Sequence, residues 1–362
     1  MAELILEQVS KRFGQSLAVN NLSLNIQQGA FVALLGPSGC GKTTTLRMLA
    51  GFETLSSGRI LLNDTCLASD GWQVPTEDRN MGMVFQSYAL WPHMSVADNV
   101  GYPLKHRRIK GGEYTRRVML ALETVQMEAL AQRMPQDLSG GQRQRVALAR
   151  CLVTDPDVVL LDEPLANLDR HLRASMEESF REFHRRTGAT LIYVTHDQSE
   201  AMSLADQIAV MHQGQLVQWA KPEELYQTPK TQWIAGFIGQ GSIIHLADVV
   251  PGQCLQASDL MALTARSGEQ RTPVLIRPEH IRLHLDDNPH EKPSLLPPAA
   301  HSLQARTLPA RVLSSFFRGE RYEIKVQLIN GDELTCYHHT GLTEGAQIHL
   351  TLEQGWSLEP AA

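Results

Sequence analysis

Phe31-Val32-Ala33-Leu34-Leu35-Gly36-Pro37-Ser38-Gly39-Cys40-Gly41-Lys42-Thr43, continuing into Thr44-Thr45-Leu46-Arg47-Met48-Leu49, is the stretch from which the fold is read. An unbroken apolar run passes into a turn of the form G-x-x-x-x-G-K-[ST], and a helical run opens directly after it. Continuous rather than alternating hydrophobicity predicts a strand buried on both faces, as in a parallel α/β sheet. The glycines let backbone N–H groups turn inward around phosphates, and the helix N-terminus adds positive potential. Gly36, Pro37, Ser38, Gly39, Cys40, Gly41, Lys42, Thr43 and Thr44 are therefore expected to form a nucleotide phosphate loop. Lys42 should reach the β- and γ-phosphates, and the Thr43 hydroxyl should ligate Mg²⁺. Cys40, close to that helix N-terminus, is expected to have a lowered thiol pKa.

Two further apolar runs resemble the first. Val158-Val159-Leu160-Leu161 ends in Asp162-Glu163, and Thr190-Leu191-Ile192-Tyr193-Val194 ends in Thr195-His196. Ligands of open α/β sheets bind at the carboxyl ends of strands, so these polar ends should gather at one site. Asp162 is the candidate Mg²⁺ ligand, direct or through water, and Glu163 the candidate general base for an attacking water. His196 is placed to contact the γ-phosphate or position that water. Gln86, after Met83-Val84-Phe85, ends a fourth short run, and its amide is a candidate bridge between metal, water and a moving subdomain.

Outside these runs the chain changes character. Leu4 to Ile26 alternates and carries Gly14 and Asn20-Asn21 as turn signals, predicting antiparallel strands beside the main sheet. Residues from about 87 to 156 read as an inserted helical subdomain. Within it, Leu138-Ser139-Gly140-Gly141-Gln142 precedes a helix, so Ser139 and the paired glycines make a second anion-attracting helix end. One subunit hardly needs two such ends unless the second completes a neighbour's site. From about 241 to 362 short β-rich runs return, separated by Asn330-Gly331-Asp332 and Gly341 to Gly345, and a proline-rich loop is expected at about 286–309. The expected division is a nucleotide-binding domain at 1–240 and a small all-β domain at 241–362.

Composition narrows the function classes. With 362 residues, 43% hydrophobic and 20% charged, the chain has material for two globular domains. A formal charge of −6 argues against a general nucleic-acid binder. No run approaches the length of a membrane span, and the N-terminal residues lack a signal-peptide pattern. Five scattered cysteines without a Cys-x-x-Cys pair predict a reduced protein with no zinc site.

In this order and spacing, the phosphate loop, Gln86, Leu138 to Gln142, Asp162-Glu163 and His196 resemble the ATP-binding cassette (ABC) ATPases over roughly residues 3–240. The resemblance implies an α/β P-loop NTPase fold with an inserted helical subdomain. It also implies a head-to-tail homodimer that hydrolyses ATP with Mg²⁺. In that dimer Ser139, Gly140, Gly141 and Gln142 of one subunit cover the phosphate held by Lys42 of the other. By the same resemblance Phe13, which reads from sequence alone as a core residue, stacks on adenine. Leu165-Ala166-Asn167-Leu168-Asp169 corresponds to the family's loop across the dimer interface; Ala166 stands where Ser is frequent, and Asp169 is kept. The C-terminal part, with Arg277-Pro278-Glu279, looks like the transport-associated OB-like domain of importer ATPases.

A chain of that group is expected at the cytoplasmic face of the inner membrane, attached to integral membrane permease subunits and only indirectly to a substrate-binding protein. Tyr88 to Met94 is the candidate docking segment. Gln86 to Met94 and Asp197-Gln198-Ser199-Glu200-Ala201 look most like the ferric-iron and polyamine branch, which points to ferric iron as cargo, with polyamine, phosphonate and sugar as alternatives. DNA-repair members of the family carry long coiled-coil insertions; here only about 95 residues separate the phosphate loop from Ser139, without sustained heptads. Translation factors of the family fuse two cassettes, and this sequence carries one phosphate loop.

Overall fold

Strand Phe31–Leu35, buried at every position, lies inside a six-stranded sheet. Its order runs Gln215–Ala220, Gln207–His212, Phe31–Leu35, Thr190–Thr195, Val158–Asp162 and Met81–Val84. All neighbours pair in parallel except the hairpin of the first two. The four apolar runs that precede sequence motifs are thus adjacent and point the same way, which brings their carboxyl ends together. The computed structural model describes residues 3–166, 170–264, 271–285 and 307–359, so Asn167, Leu168 and Asp169 lie outside the described residues.

A second, antiparallel sheet orders Ser16–Ile26, Leu4–Phe13, Ser57–Leu62, Thr65–Ser69 and Trp72–Gln73. The first hairpin turns at Gly14, as its sequence signals. Asn20-Asn21 does not turn the chain. Asn21 adopts φ 52° inside strand Ser16–Ile26, which pairs with register shifts, so this signal marks a bulged strand rather than a connection. The helix that follows the phosphate loop, Lys42–Ala50, buries Leu46, Met48 and Leu49 in a core shared by both sheets. At about 1.5–3 kcal/mol for each such side chain, that face anchors the loop's helix firmly.

Helices Val96–His106, Gly111–Thr124 and Gly140–Leu152 are inserted between Met81–Val84 and Val158–Asp162, two strands that neighbour one another in the sheet. Ser95 caps the first of them by accepting from the Asp98 N–H at 3.1 Å.

The chain divides into two compact units, Met1–Glu223 and Glu224–Ala362. The division falls earlier than the 240/241 boundary read from the sequence, for a physical reason. The buried Arg277 guanidinium donates to the carbonyls of Tyr226, Ile238 and Gln240 and stacks 4.0 Å from the Tyr226 ring centroid. Trp356 Nε1 donates to the Pro229 carbonyl at 3.0 Å. These bonds tie the stretch after Glu223 into the second unit.

The described residues of that unit form two antiparallel sheets. One orders Ser242–Ala247, Arg271–Ile276, Gln354–Ser357 and Cys254–Gln256; the other Ile281–His284, Gln347–Leu352, Leu308–Phe317, Tyr322–Leu328 and Glu333–His338. They close on one core of residues such as Ile244, Val274, Ile324 and Leu350, as expected of an OB-like all-β domain. The expected proline-rich loop ends sooner than 309, because Leu308 and Pro309 already belong to a strand. Pro309 pairs with His349 on one side, and pairing on the other side begins only at Ala310, so its missing N–H costs no bond there.

Candidate functional site

The phosphate loop leaves its strand at Gly36 and enters the helix through Gly41, and both positions exclude a side chain. A Cβ at Gly36 would lie 2.2 Å from the Met211 carbonyl oxygen. Gly41 adopts φ 102°, and its Cβ would lie 2.4 Å from the Ala18 carbonyl oxygen. The Lys42 side chain is buried and curls back, its ammonium donating to the carbonyls of Gly36 at 2.8 Å and Pro37 at 3.0 Å. The loop therefore holds a positive charge at its centre.

Cys40 departs from the sequence expectation. Its thiol is buried, 3.8 Å from the Lys42 ammonium. Burial pushes its pKa up, and the neighbouring Lys42 only partly offsets this. A helix N-terminus lowers a thiol pKa where the thiolate is solvated, and here desolvation wins.

The structure brings Thr43, Asp162, Glu163 and His196 to the same end of the parallel sheet. Thr43 Oγ1 donates to Asp162 Oδ1 at 3.2 Å. Burial raises the Asp162 pKa, and the Thr43 bond opposes that shift. A hydroxyl beside a carboxylate is a hard oxygen donor set that suits Mg²⁺, and a cation there would hold the buried carboxylate ionised.

Glu163 follows at once, with φ 44°, a left-handed backbone that costs a non-glycine residue about 1–2 kcal/mol. Its N–H donates to the Val194 carbonyl at 3.1 Å. This turn aims its carboxylate at His196, whose Nδ1 lies 3.3 Å from Glu163 Oε2. Both side chains keep solvent access, with 26% of Glu163 and 55% of His196 exposed, so water can reach the pair.

Gln86 is exposed at the end of Met81–Val84. Past it, Tyr88 and Ala89 both take positive φ, 60° and 45°. The Arg150 guanidinium holds them by donating to the Ala89 carbonyl at 2.7 Å and the Tyr88 carbonyl at 2.8 Å. The fully buried Asn99 binds the other half of the segment. Its amide donates to the carbonyls of Trp91, Met94 and Ser95, and its oxygen accepts the Trp91 N–H at 2.8 Å. Sequence reading missed Asn99 and Arg150, which carry no motif and reveal their role only through burial and partners.

Ser139 caps helix Gly140–Leu152 through a reciprocal pair: it accepts the Gln142 N–H at 3.3 Å, while Gln142 Oε1 accepts the Ser139 N–H at 2.9 Å. The cap orders the residues expected to meet a second subunit's phosphate. Phe13 is not core. Its ring is 47% exposed at the end of Leu4–Phe13, with the Lys11 ammonium 4.8 Å from its centroid. An exposed aromatic face at this place fits a stacking partner better than an interior role.

No helix among the described residues is long and apolar enough to cross a membrane. The ABC transporter family model matches residues 19–166 and the TOBE domain model residues 274–357. The trehalose/maltose import ATP-binding protein MalK of Thermococcus litoralis is 49% identical over 252 residues, 69% of this chain and 68% of that protein. The spermidine/putrescine import ATP-binding protein PotA of Thermobifida fusca is 45% identical, covering 78% of this chain and 75% of its own. The Fe(3+) ions import ATP-binding protein FbpC of Pasteurella multocida is 48% identical, covering 67% of this chain and 68% of its own. Among solved structures, a dimeric post-hydrolysis ATP-binding cassette bound to ADP and Pi is similar, with TM-score 0.53 at 29% identity, over 60% of this chain and 98% of that one. A phosphate loop and a carboxylate–histidine pair at one sheet end, a capped glycine-rich helix, a TOBE domain and relatives at this identity agree, and the chain belongs to the ABC transporter family as an ATP-binding ATPase subunit of an import system.

Proposed function

We propose that two copies of the chain hold ATP between them, head to tail, and hydrolyse it to drive ferric-iron uptake through integral membrane permease subunits. The observation that carries this reading is the division of labour inside one subunit. Lys42, Thr43, Asp162, Glu163 and His196 converge at one sheet end, whereas the capped Ser139-Gly140-Gly141-Gln142 end belongs to the inserted helices. In the proposed dimer that second end, with Asp169 in the interface loop, closes over the phosphates of the partner's ATP. The similarity to a dimeric cassette bound to ADP and Pi supports the arrangement.

Each residue then has a task. Phe13 stacks on adenine, and Gly36 to Thr44 wrap the phosphates, with the Lys42 ammonium released from its carbonyls to the β- and γ-oxygens. Thr43 and Asp162, with Gln86, hold Mg²⁺, which neutralises phosphate charge when bound. The Glu163 carboxylate takes a proton from water as the water oxygen attacks the γ-phosphorus. The bond to the bridging oxygen breaks, leaving ADP and inorganic phosphate. His196, whose Nδ1 lies 3.3 Å from Glu163 Oε2, holds that carboxylate in the position for the transfer. ATP must favour the closed dimer over the open one for binding to do mechanical work, and hydrolysis removes that preference. Gln86 and the segment Tyr88 to Met94 pass the movement to the permeases, so the chain works as a peripheral subunit at the inner face of the membrane.

Phosphate release by the purified chain, with Mg²⁺ and with chelator, tests the hydrolytic part. Lys42→Ala should abolish it, and turnover surviving in that variant contradicts the site. Cargo is tested by uptake in cells lacking the chain. Loss of ferric-iron uptake under iron limitation supports iron, whereas intact iron uptake with lost polyamine or disaccharide uptake replaces it. The relatives named for iron, polyamine and sugar import make these the arms of the assay.

A further inference from the structure

Glu200 is a carboxylate with no place in the hydrolytic steps above, yet it is 97% buried four residues past His196 (3% exposed). Its Oε2 accepts two hydroxyl hydrogen bonds, from Tyr193 at 2.8 Å and from Thr195 at 2.6 Å. Thr195 Oγ1 in turn accepts the Asp197 N–H at 2.9 Å. A relay thus runs from the Asp197 amide through the Thr195 hydroxyl to the Glu200 carboxylate, and it brackets His196 on both sides. Arg173 closes the bracket, donating to Asp197 Oδ2 at 2.9 Å and lying 3.6 Å from Glu200 Oε1. Asp197 also caps helix Gln198–Leu204, which carries Glu200, by accepting the Ser199 N–H at 2.8 Å. A cavity of about 30 Å³ joins this cluster to Glu163 and His196, which line it together with Thr195, Asp197 and Glu200.

The His196 side chain itself is exposed and meets Glu163 Oε2 at 3.3 Å, so the backbone that carries the ring decides where that contact forms. A buried carboxylate is costly and persists where its hydrogen bonds over-determine the local geometry. We infer that Glu200 is a positioning residue for hydrolysis: through Thr195 it fixes the His196 turn and thereby the His196–Glu163 contact. Tyr193 binds the same oxygen from within the strand and is not part of the relay to Asp197. The inference rests on the proposed roles of Glu163 and His196, and its test is separable from theirs.

The test compares Thr195→Val, Tyr193→Phe, Glu200→Ala and Glu200→Gln in the full chain, reading the His196 imidazole Cε1–H resonance together with ATP turnover. His196→Gln assigns the resonance. Thr195→Val and Glu200→Ala should shift or broaden it and lower kcat by roughly ten- to a hundredfold, the scale of loss from a displacement of about 1 Å, with KM for ATP unchanged. Tyr193→Phe should leave both readouts near the parent. Glu200→Gln, whose amide oxygen accepts the same hydroxyls, should recover most of the turnover. Folded Thr195→Val with an unmoved resonance and parental kcat overturns the inference, as does an equal effect of Tyr193→Phe. Should Glu200→Ala fail to fold, the near-isosteric Thr195→Val and Tyr193→Phe pair still decides it. His196→Ala with parental turnover would defeat the role given to His196, while the resonance would still report whether Glu200 positions it.

Discussion

Replacing Glu163 with Gln changes one oxygen to an amide nitrogen and leaves the shape of the side chain. The left-handed turn at φ 44° and the Glu163 N–H bond to Val194 belong to the backbone, and the substitution keeps both. Gln can still meet His196 Nδ1 at the present 3.3 Å through its carbonyl oxygen, but it cannot accept a proton from water. General-base catalysis contributes about 10²–10⁴ in rate, equivalent to about 3–5.5 kcal/mol of barrier at 1.4 kcal/mol per tenfold. Lys42 and the loop Gly36 to Gly41 lie on other elements, so nucleotide affinity should be kept. The assay is steady-state phosphate release beside size-exclusion chromatography in ATP and Mg²⁺. Turnover should fall by at least about a hundredfold, and an ATP-dependent dimer should accumulate because the closed state no longer resolves. Turnover within about tenfold of the parent would refute the base assignment.

Other expectations follow from individual contacts. Because burial holds the Cys40 thiol above its ordinary value of 9.0, its alkylation rate should keep rising beyond pH 9 instead of levelling there, with ATP protecting both the thiol and the activity. A rate that saturates near pH 8 would contradict the burial argument. Arg277→Ala strands the carbonyls of Tyr226, Ile238 and Gln240, and should cost about 3 kcal/mol. Calorimetry of the full chain should show a transition lowered by roughly 10 °C, and an unchanged trace would sink the anchoring role. Asn99→Ala should cost about 1–3 kcal/mol locally and loosen Trp91 to Ser95. Permease-stimulated ATPase should fall while basal turnover persists; equal losses in both would contradict a docking role.

The parts of the fold visible in the sequence are those fixed by local pattern. Phe31–Leu35, Val158–Asp162 and Thr190–Thr195 are buried on both faces, so each reads as an unbroken apolar run whatever its neighbours. The helix after Gly41 announces itself through glycines that no side chain could replace. Contacts between residues far apart in sequence were not legible. Phe13 looks like any apolar strand residue until its exposure and its Lys11 partner are known. Cys40 departs from its expectation because helix position is readable in a sequence and burial is not. Asn20-Asn21 carries turn chemistry that the second sheet uses for a bulge, since pairing with Leu4–Phe13 continues on both sides of it. Glu200 reads as an ordinary acid in a helix's first turn, and only its depth and its two hydroxyl donors set it apart.

The central claim is that each ATP is held by Lys42 of one subunit and Ser139 to Gln142 of the other, and complementation between two defective chains tests it most directly. In a Glu163→Gln background, one chain carries Lys42→Ala and the second Gly140→Asp. Aspartate at the first helical position suits the helix dipole but places a carboxylate where phosphate should sit. ATP retained after rapid gel filtration is measured for each chain alone and for their mixture. Neither chain alone should retain ATP, while the mixture should, because its heterodimer contains one site with both Lys42 and Gly140 intact. A mixture that retains no more than its parts, with heterodimers present, would contradict a site shared between subunits.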